Sequence, residues 1–172
     1  PFKDFSTPVR PDNPVPYMNQ KGVVERDFTK KEAFYVFQSY WTDKLMAHIY
    51  GHSWLTRWGS ATETKMLKVY SNADEVELFF NGQSMGIKKR NSKDFPAAGL
   101  RWMVNYKEGE NSIKVIAKKG KETVIDEITQ QYQTAKWGTP FKMTLEKIAE
   151  ADGKTTVEVK LLDRNNVLCL DA

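Results

Sequence analysis

Apolar and polar residues alternate along most of this chain, which is the pattern of β-strands with one buried face. The clearest case is Glu75–Phe80, where every second side chain is Val, Leu or Phe. Asn81-Gly82 follows, and it predicts a tight hairpin turn because both residues tolerate a positive φ. The segment 65–89 is therefore predicted to form three strands joined by two turns.

The same alternation recurs on both sides of this meander, with polar or glycine-containing turns between the runs. The segment 52–58 breaks the alternation and is predicted to be a loop. About seven strands at such spacing are typical of an immunoglobulin-like β-sandwich, so the predicted fold is mainly β, with the sandwich at residues 44–135. The further predicted strands lie near 45–50, 100–106, 113–117 and 123–128.

The region before the sandwich has a different character. Residues 1–28 hold five of the seven prolines, which predicts an extended loop because proline fixes φ and removes a hydrogen-bond donor. Helical spacing then predicts one α-helix over Thr29–Tyr40, with Thr29 as N-cap and Glu32 completing a capping box. The stripe on this helix is very aromatic, so residues 1–43 are predicted to pack against a large body outside the chain.

Residues 136–172 are predicted to be a linker followed by the start of a second immunoglobulin-like domain. The polar stretch 131–140 is predicted to be a linker, and the alternating runs beyond it turn at Asp152-Gly153. Roughly three strands alone seldom bury enough surface to be stable. We therefore expect the chain to be a piece of something larger, in which a neighbouring chain covers its ends or the second sandwich borrows strands.

Composition narrows the classes of partner. Lys+Arg 26 against Asp+Glu 22 gives a net charge of +4, but the charges are interspersed, so no nucleic-acid partner is predicted. No apolar run approaches the ~20 residues of a membrane span. Cys169 stands alone, which excludes an intrachain disulfide. No phosphate-binding glycine loop occurs, and no cofactor is predicted.

Two sets of side chains deserve a chemical interpretation. His48 and His52 are the two histidines, but they fall in a predicted strand and loop with no completed ligand set, so no metal site is predicted.

Trp54, Trp58 and Trp102 have two interpretations. Packing in the core or against the missing body is favoured, and stacking on sugar rings is the alternative.

Long collinear segments of the chain resemble family 2 glycoside hydrolases, the β-galactosidase-like group. The first part resembles the end of the catalytic (β/α)8 barrel, and the middle resembles the accessory sandwich that follows it. The segments that carry the resemblance are Phe2–Phe5, Arg10-Pro11, Pro16-Tyr17, Asn19–Gly22, Lys31–Ala33, Tyr35–Trp41, Ile49–Trp54, Lys68–Asn72, Glu75–Gly82, Asp94–Trp102, Asp126–Ile128 and Lys136–Gly138.

The resemblance implies what the chain contains and what it lacks. Retaining hydrolysis in this family uses two glutamates on either side of the glycosidic bond, and neither has a counterpart in this sequence. The resemblance places Lys3, Asp4 and Phe5 near the sugar site of an intact enzyme. It implies a catalytic barrel as partner, a carbohydrate substrate for the parent, and a periplasmic or secreted location.

The sequence therefore leaves three hypotheses for the function. The leading hypothesis is a non-catalytic C-terminal region of a glycoside hydrolase, with no catalytic residue of its own. The second is a carbohydrate-binding module that uses exposed tryptophans. The third is a structural spacer that forms a homodimer through the aromatic face of the helix.

Overall fold

The computed structural model describes residues 1–95 and 98–170, in which strand is the main type of secondary structure. The helix α1 spans Glu32–Trp41. The strands are β1 (Phe5–Ser6), β2 (Met18–Asn19), β3 (Ala47–Ile49), β4 (Thr56–Trp58), β5 (Thr64–Ser71), β6 (Glu75–Phe80), β7 (Gln83–Lys89), β8 (Gly99–Asn105), β9 (Gly109–Lys119), β10 (Glu122–Gln133), β11 (Lys142–Ala151) and β12 (Lys154–Leu162).

The strands form a five-stranded sheet, a three-stranded sheet and two hairpins. The five-stranded sheet has the order β4-β10-β9-β6-β7, and the three-stranded sheet has the order β3-β5-β8. The small hairpins are β1-β2 and β11-β12. This arrangement is the mainly β, sandwich-type architecture that the alternation predicts.

Alternating side chains of the two sheets form the buried core. Strand β6 follows the pattern half-buried then buried throughout, and β8 alternates buried with exposed residues after its first position. Leu78 pairs with Val115 across β6 and β9, and both side chains are fully buried. The strand period of two therefore sorts this sequence into an inner and an outer face, as predicted.

The Asn81-Gly82 hairpin is confirmed. Asn81 has φ 51° and Gly82 has φ 79°, which is the left-handed pair that a type I′ turn requires. The Asn81 side-chain oxygen also accepts a hydrogen bond from the Ser112 amide at 2.9 Å, so the turn is tied to the neighbouring strand β9. The predicted break at 95–99 lies partly outside the described residues.

The helix exists, but its predicted start is wrong. It begins at Glu32, its N-cap is Lys31, and no side chain caps it. Glu32 instead directs its carboxylate to the Gly51 amide and to His48, because long-range partners outcompete the local capping box. Within the described residues, no helix is long and apolar enough to cross a membrane.

Two other sequence-based boundaries change. The segment predicted as a loop at 52–58 contains strand β4, which pairs in parallel with Gln131–Gln133 at the end of β10. The stretch predicted as a linker from residue 131 is therefore strand up to Gln133. Parallel pairing joins segments far apart in sequence, so no local turn signal announces it.

The chain divides into two compact units. The first contains residues 1–53, 65–104 and 112–129, and it includes α1 and the sandwich core. The second contains residues 54–64, 105–111 and 130–172. In the second, β11 and β12 form the predicted hairpin about Asp152-Gly153, which has positive φ at both residues. Its strands carry exposed apolar side chains: Met143, Leu145, Ile148, Val157 and Val159.

Candidate functional site

The N-terminal arm is organised around a buried carboxylate. Asp4 is 2% exposed, and its two oxygens accept hydrogen bonds from the Lys31 ammonium at 2.9 and 2.7 Å. The Gly22 amide donates to the same carboxylate at 2.8 Å. The bond from Lys31 and the Gly22 amide hold the pKa of Asp4 below its ordinary value, although burial acts in the opposite direction.

Gly22 is required at its position by close packing. A Cβ built there would lie 2.4 Å from the Asp4 amide nitrogen and 2.5 Å from the Lys3 carbonyl carbon. Both contacts are to backbone atoms, which cannot move aside as a flexible side chain would. The Asn19–Gly22 segment is thus fastened directly onto Lys3 and Asp4.

The structure places Lys3 and Phe5 on either side of this anchor. The Lys3 ammonium lies 3.9 Å from the centre of the Phe28 ring, a cation–π contact. Phe5 lies in β1 and is 46% exposed. Asp4 is fully engaged by protein groups, which supports a structural anchoring role for it, and its proximity to sugar in an intact enzyme stays a prediction.

Asp4→Asn is expected to destabilise the arm, because the neutral amide removes the buried carboxylate charge that pairs with the Lys31 ammonium at 2.7 Å. The pKa of Asp4 in the folded state is lowered from its ordinary value of 3.8. The stabilisation by the ionised carboxylate is therefore fully present above the ordinary pKa and is lost as pH falls through the folded-state pKa. The loss of stability should therefore be large near pH 7 and should shrink below about pH 4. Urea midpoints of both proteins across this range measure it.

Glu25→Gln is the matched control for that comparison. Glu25 lies 3.6 Å from the same Lys31 nitrogen, but its side chain is 42% exposed. An exposed ion pair contributes little, so this variant should unfold near the wild-type midpoint at pH 7. An Asp4→Asn effect that stayed constant down to pH 2.5 would contradict the assignment of the stabilisation to the Asp4 carboxylate.

The aromatic side of α1 is open to solvent. Trp41 is 78% exposed and Phe37 41% exposed, and their rings contact each other with centroids 4.7 Å apart. With neighbouring residues they line a groove with a volume of about 650 Å³. We call this surface the apolar helix face, and its apolar members are Phe2, Val23, Ala33, Phe34, Phe37 and Trp41.

A second cluster gathers both histidines and two carboxylates. His48 lies on β3 and His52 in the turn that follows, and their rings stack with centroids 4.6 Å apart. His48 Nε2 lies 3.2 Å from a Glu32 carboxylate oxygen, and His52 Nε2 lies 2.8 Å from Asp126 Oδ2. The same Asp126 oxygen accepts the Ile49 amide at 2.7 Å. We call these four side chains the histidine cluster.

The environment of His48 keeps its ring neutral near pH 7. The side chain is 7% exposed, and the Tyr35 ring covers it with centroids 3.4 Å apart and planes 4° from parallel. Burial lowers the pKa of His48, and the nearby Glu32 and Asp126 charges only partly oppose this effect. A neutral imidazole retains one nitrogen lone pair that accepts a proton or binds a metal.

Sequence reasoning found the two histidines but missed their partners. Asp126 lies 74 residues beyond His52, and Glu32 was assigned to a helix cap. One available signal was the apolar alternation of β10, which leaves Asp126 and Glu127 on opposite faces of the strand. The structure thus supplies the carboxylates that spacing alone did not provide.

The three tryptophans named as sugar-stacking candidates have different surroundings. Trp102 is 3% exposed and donates its indole N–H to the Gly86 carbonyl at 3.1 Å, so its ring is enclosed by protein. Trp58 packs edge-on against Trp137 with centroids 5.5 Å apart. Trp54 is 49% exposed, and its carbonyl accepts the Gln130 side chain at 3.0 Å. Packing accounts for Trp102, and sugar stacking by Trp54 and Trp58 stays a prediction.

Comparison with protein families matches residues 62–124 to a family described as a domain of unknown function, DUF4982. The matched segment covers β5 to β9 and the start of β10, which form the greater part of the sandwich. Its description names no activity. The family match therefore concerns the sandwich and carries no chemistry of its own.

Relatives extend the similarity over the whole chain. A β-glucuronidase structure from Parabacteroides merdae is 59% identical with a TM-score of 0.93, over 99% of this chain and 22% of that one. A Formosa agariphila protein is 46% identical over 99% of this chain and 21% of its own length. The β-galactosidase BoGH2A of Bacteroides ovatus is 36% identical over 88% of this chain and 17% of its own length. The chain thus spans about a fifth of the length of the relatives that it matches.

Proposed function

Because this chain belongs to the β-glucuronidase and β-galactosidase group of family 2 glycoside hydrolases, we propose that it is a non-catalytic C-terminal region that supports a catalytic barrel. Residues 1–43 would complete the end of the barrel, residues 44–135 would form the accessory sandwich, and residues 136–172 would begin the next domain. The resemblance read from the sequence and the similarity to relatives both support this assignment.

The observation that carries the proposal is the exposure of the apolar helix face. A helix of a compact protein normally buries its apolar stripe, yet Ser39 is the buried residue of α1 and Trp41 is 78% exposed. Since matched relatives are about five times longer than this chain, the remainder of such an enzyme is the natural cover for this surface. Large exposed apolar patches mark interaction sites.

The described carboxylates support a non-catalytic role. Retaining glycosidases need two carboxyl groups about 5–5.5 Å apart across an open sugar site. Asp4 is closed off by Lys31 and Gly22, while Glu32 and Asp126 are held by backbone amides and histidines. Each of these three carboxylates is thus engaged by other groups of the protein.

The activity of the parent enzyme is part of the same proposal. It would hydrolyse O-glycosidic bonds of β-glycosides by the retaining two-carboxylate mechanism of the family, with both glutamates outside this chain. A periplasmic or secreted location would fit a carbohydrate-degrading enzyme. The names of the relatives favour β-glucuronides and β-galactosides as the substrates to test first.

The purified chain is expected to release no 4-nitrophenol from 4-nitrophenyl β-D-glucuronide or β-D-galactoside. General acid and nucleophile are both required, and neither is supplied here. Absorbance of the released nitrophenolate measures the rate. A mock purification from cells that lack the chain gives the host background, and turnover above that background that co-purified with the chain would refute the non-catalytic assignment.

A further inference from the structure

The histidine cluster contains the types of ligand atom that transition-metal sites use. It offers two imidazole nitrogens and two carboxylates from four positions: Glu32 on α1, His48 on β3, His52 in the next turn and Asp126 on β10. The ligand atoms of His48, His52 and Asp126 all lie within 4.8 Å of one another. We propose that these four residues bind one Zn²⁺ ion.

The ligand types favour zinc over the harder cations. Zn²⁺ takes four ligands from histidine nitrogen and carboxylate oxygen in its protein sites, whereas Ca²⁺ and Mg²⁺ prefer shells made of oxygen alone. One divalent ion also balances the two carboxylate charges of Glu32 and Asp126. The two imidazole rings of His48 and His52 supply the nitrogen donors that favour zinc over those cations.

Backbone and ring contacts already orient three of the ligands. The Gly51 amide holds one oxygen of Glu32 at 2.9 Å, which leaves the other oxygen directed at His48. The Ile49 amide holds Asp126 at 2.7 Å, and Tyr35 stacks on His48. Outer contacts of this kind fix metal ligands in place and raise affinity.

The fourth ligand, the His52 imidazole, has to rotate before it can bind the ion. The His48 and His52 rings lie 16° from parallel, and a metal ion lies close to the plane of each ring that binds it. Tetrahedral zinc sites also place ligand atoms about 3.4 Å apart, closer than the present limit of 4.8 Å. His52 is 38% exposed on a turn, so its ring has room to rotate. The rotation would break the stacking contact with His48 and bring a ring nitrogen of His52 to the ion.

Isothermal titration of the 172-residue chain with ZnCl2 at pH 7.5 tests the proposal. The chain is purified without a polyhistidine tag, because its own two histidines must be the only imidazoles present. We expect saturation at one ion per chain with a dissociation constant below about 10 μM. His52→Gln and Asp126→Asn should each weaken binding by at least about tenfold.

Glu127→Gln is the matched control. Glu127 neighbours Asp126 on the same strand but pairs with Lys114 at 2.6 Å, so zinc affinity should stay within about twofold of wild type. His52 lies on an exposed turn, so its variant is expected to keep the fold, which circular dichroism checks. Absence of saturable binding, undiminished binding by His52→Gln, or equal losses in Asp126→Asn and Glu127→Gln would each overturn the site.

Discussion

Replacing Phe37 and Trp41 by aspartate is expected to lower the glycosidase activity of a chimeric enzyme that contains this chain by at least about tenfold. The chimera is the Parabacteroides merdae β-glucuronidase with this chain in place of its matching segment. The two proteins are 59% identical with a TM-score of 0.93 over the exchanged part, so the unsubstituted chimera should fold and hydrolyse β-glucuronides. The rate per milligram of soluble protein is the measurement.

The expected loss follows from the burial that docking would provide. Covering a Phe or Trp side chain contributes about 1.5–3 kcal/mol, so the two substitutions remove about 3–6 kcal/mol of docking free energy. They also force two carboxylates toward an apolar surface, which adds a desolvation cost. Since 1.4 kcal/mol is about a tenfold change in an equilibrium constant, the barrel would lose its support in most molecules.

The matched control keeps the apolar character of the same positions. Phe37→Leu with Trp41→Phe retains most of the buried area and introduces no charge, so this chimera should remain within about threefold of the unsubstituted one. Full activity of the aspartate chimera would contradict docking through the apolar helix face. In that case the molar mass of the isolated chain, measured by light scattering, would test whether this face joins two copies instead.

Leu78→Ala is expected to lower the free energy of unfolding of the first unit by about 2–5 kcal/mol. Leu78 is fully buried on β6, between β9 and β7 in the five-stranded sheet. Truncation removes three carbons from a site closed on both sides, and a strand hydrogen-bonded to both neighbours cannot collapse into the cavity. Hydrogen exchange of the β6 and β9 amides under native conditions reports this unit separately.

Met103→Ala is the control for this substitution. Met103 lies on β8 but is 58% exposed, so its truncation should change the same exchange free energies by less than about 0.5 kcal/mol. A loss of under about 1 kcal/mol for Leu78→Ala would mean that the space is refilled and that the core is not packed as the structure has it.

Much of the fold was readable from neighbouring residues. The alternation in Glu75–Phe80, the Asn81-Gly82 turn and the Asp152-Gly153 turn are properties of short segments, and each appears where it was predicted. The resemblance to family 2 glycoside hydrolases was also readable, because it depends on the order of residues alone. The relatives confirm it.

The errors share one physical cause. The capping box at Thr29 and Glu32 was a local inference, and Glu32 instead bonds to Gly51 and His48. The loop assigned to 52–58 contains a strand because Gln131–Gln133 pairs with it across 70 or more residues. In both cases a partner distant in sequence competed with the local signal and won.

By itself, the sequence determined the strand periodicity, the tight turns, the aromatic helix and the family, since all of these are encoded in contiguous residues. Only the tertiary structure decided that Asp4 is closed off by Lys31, that Trp102 is enclosed in the core, and that Glu32 and Asp126 meet the two histidines. The reason is that side-chain partners are chosen by sheet register and packing, which bring together residues that no pattern along the chain connects.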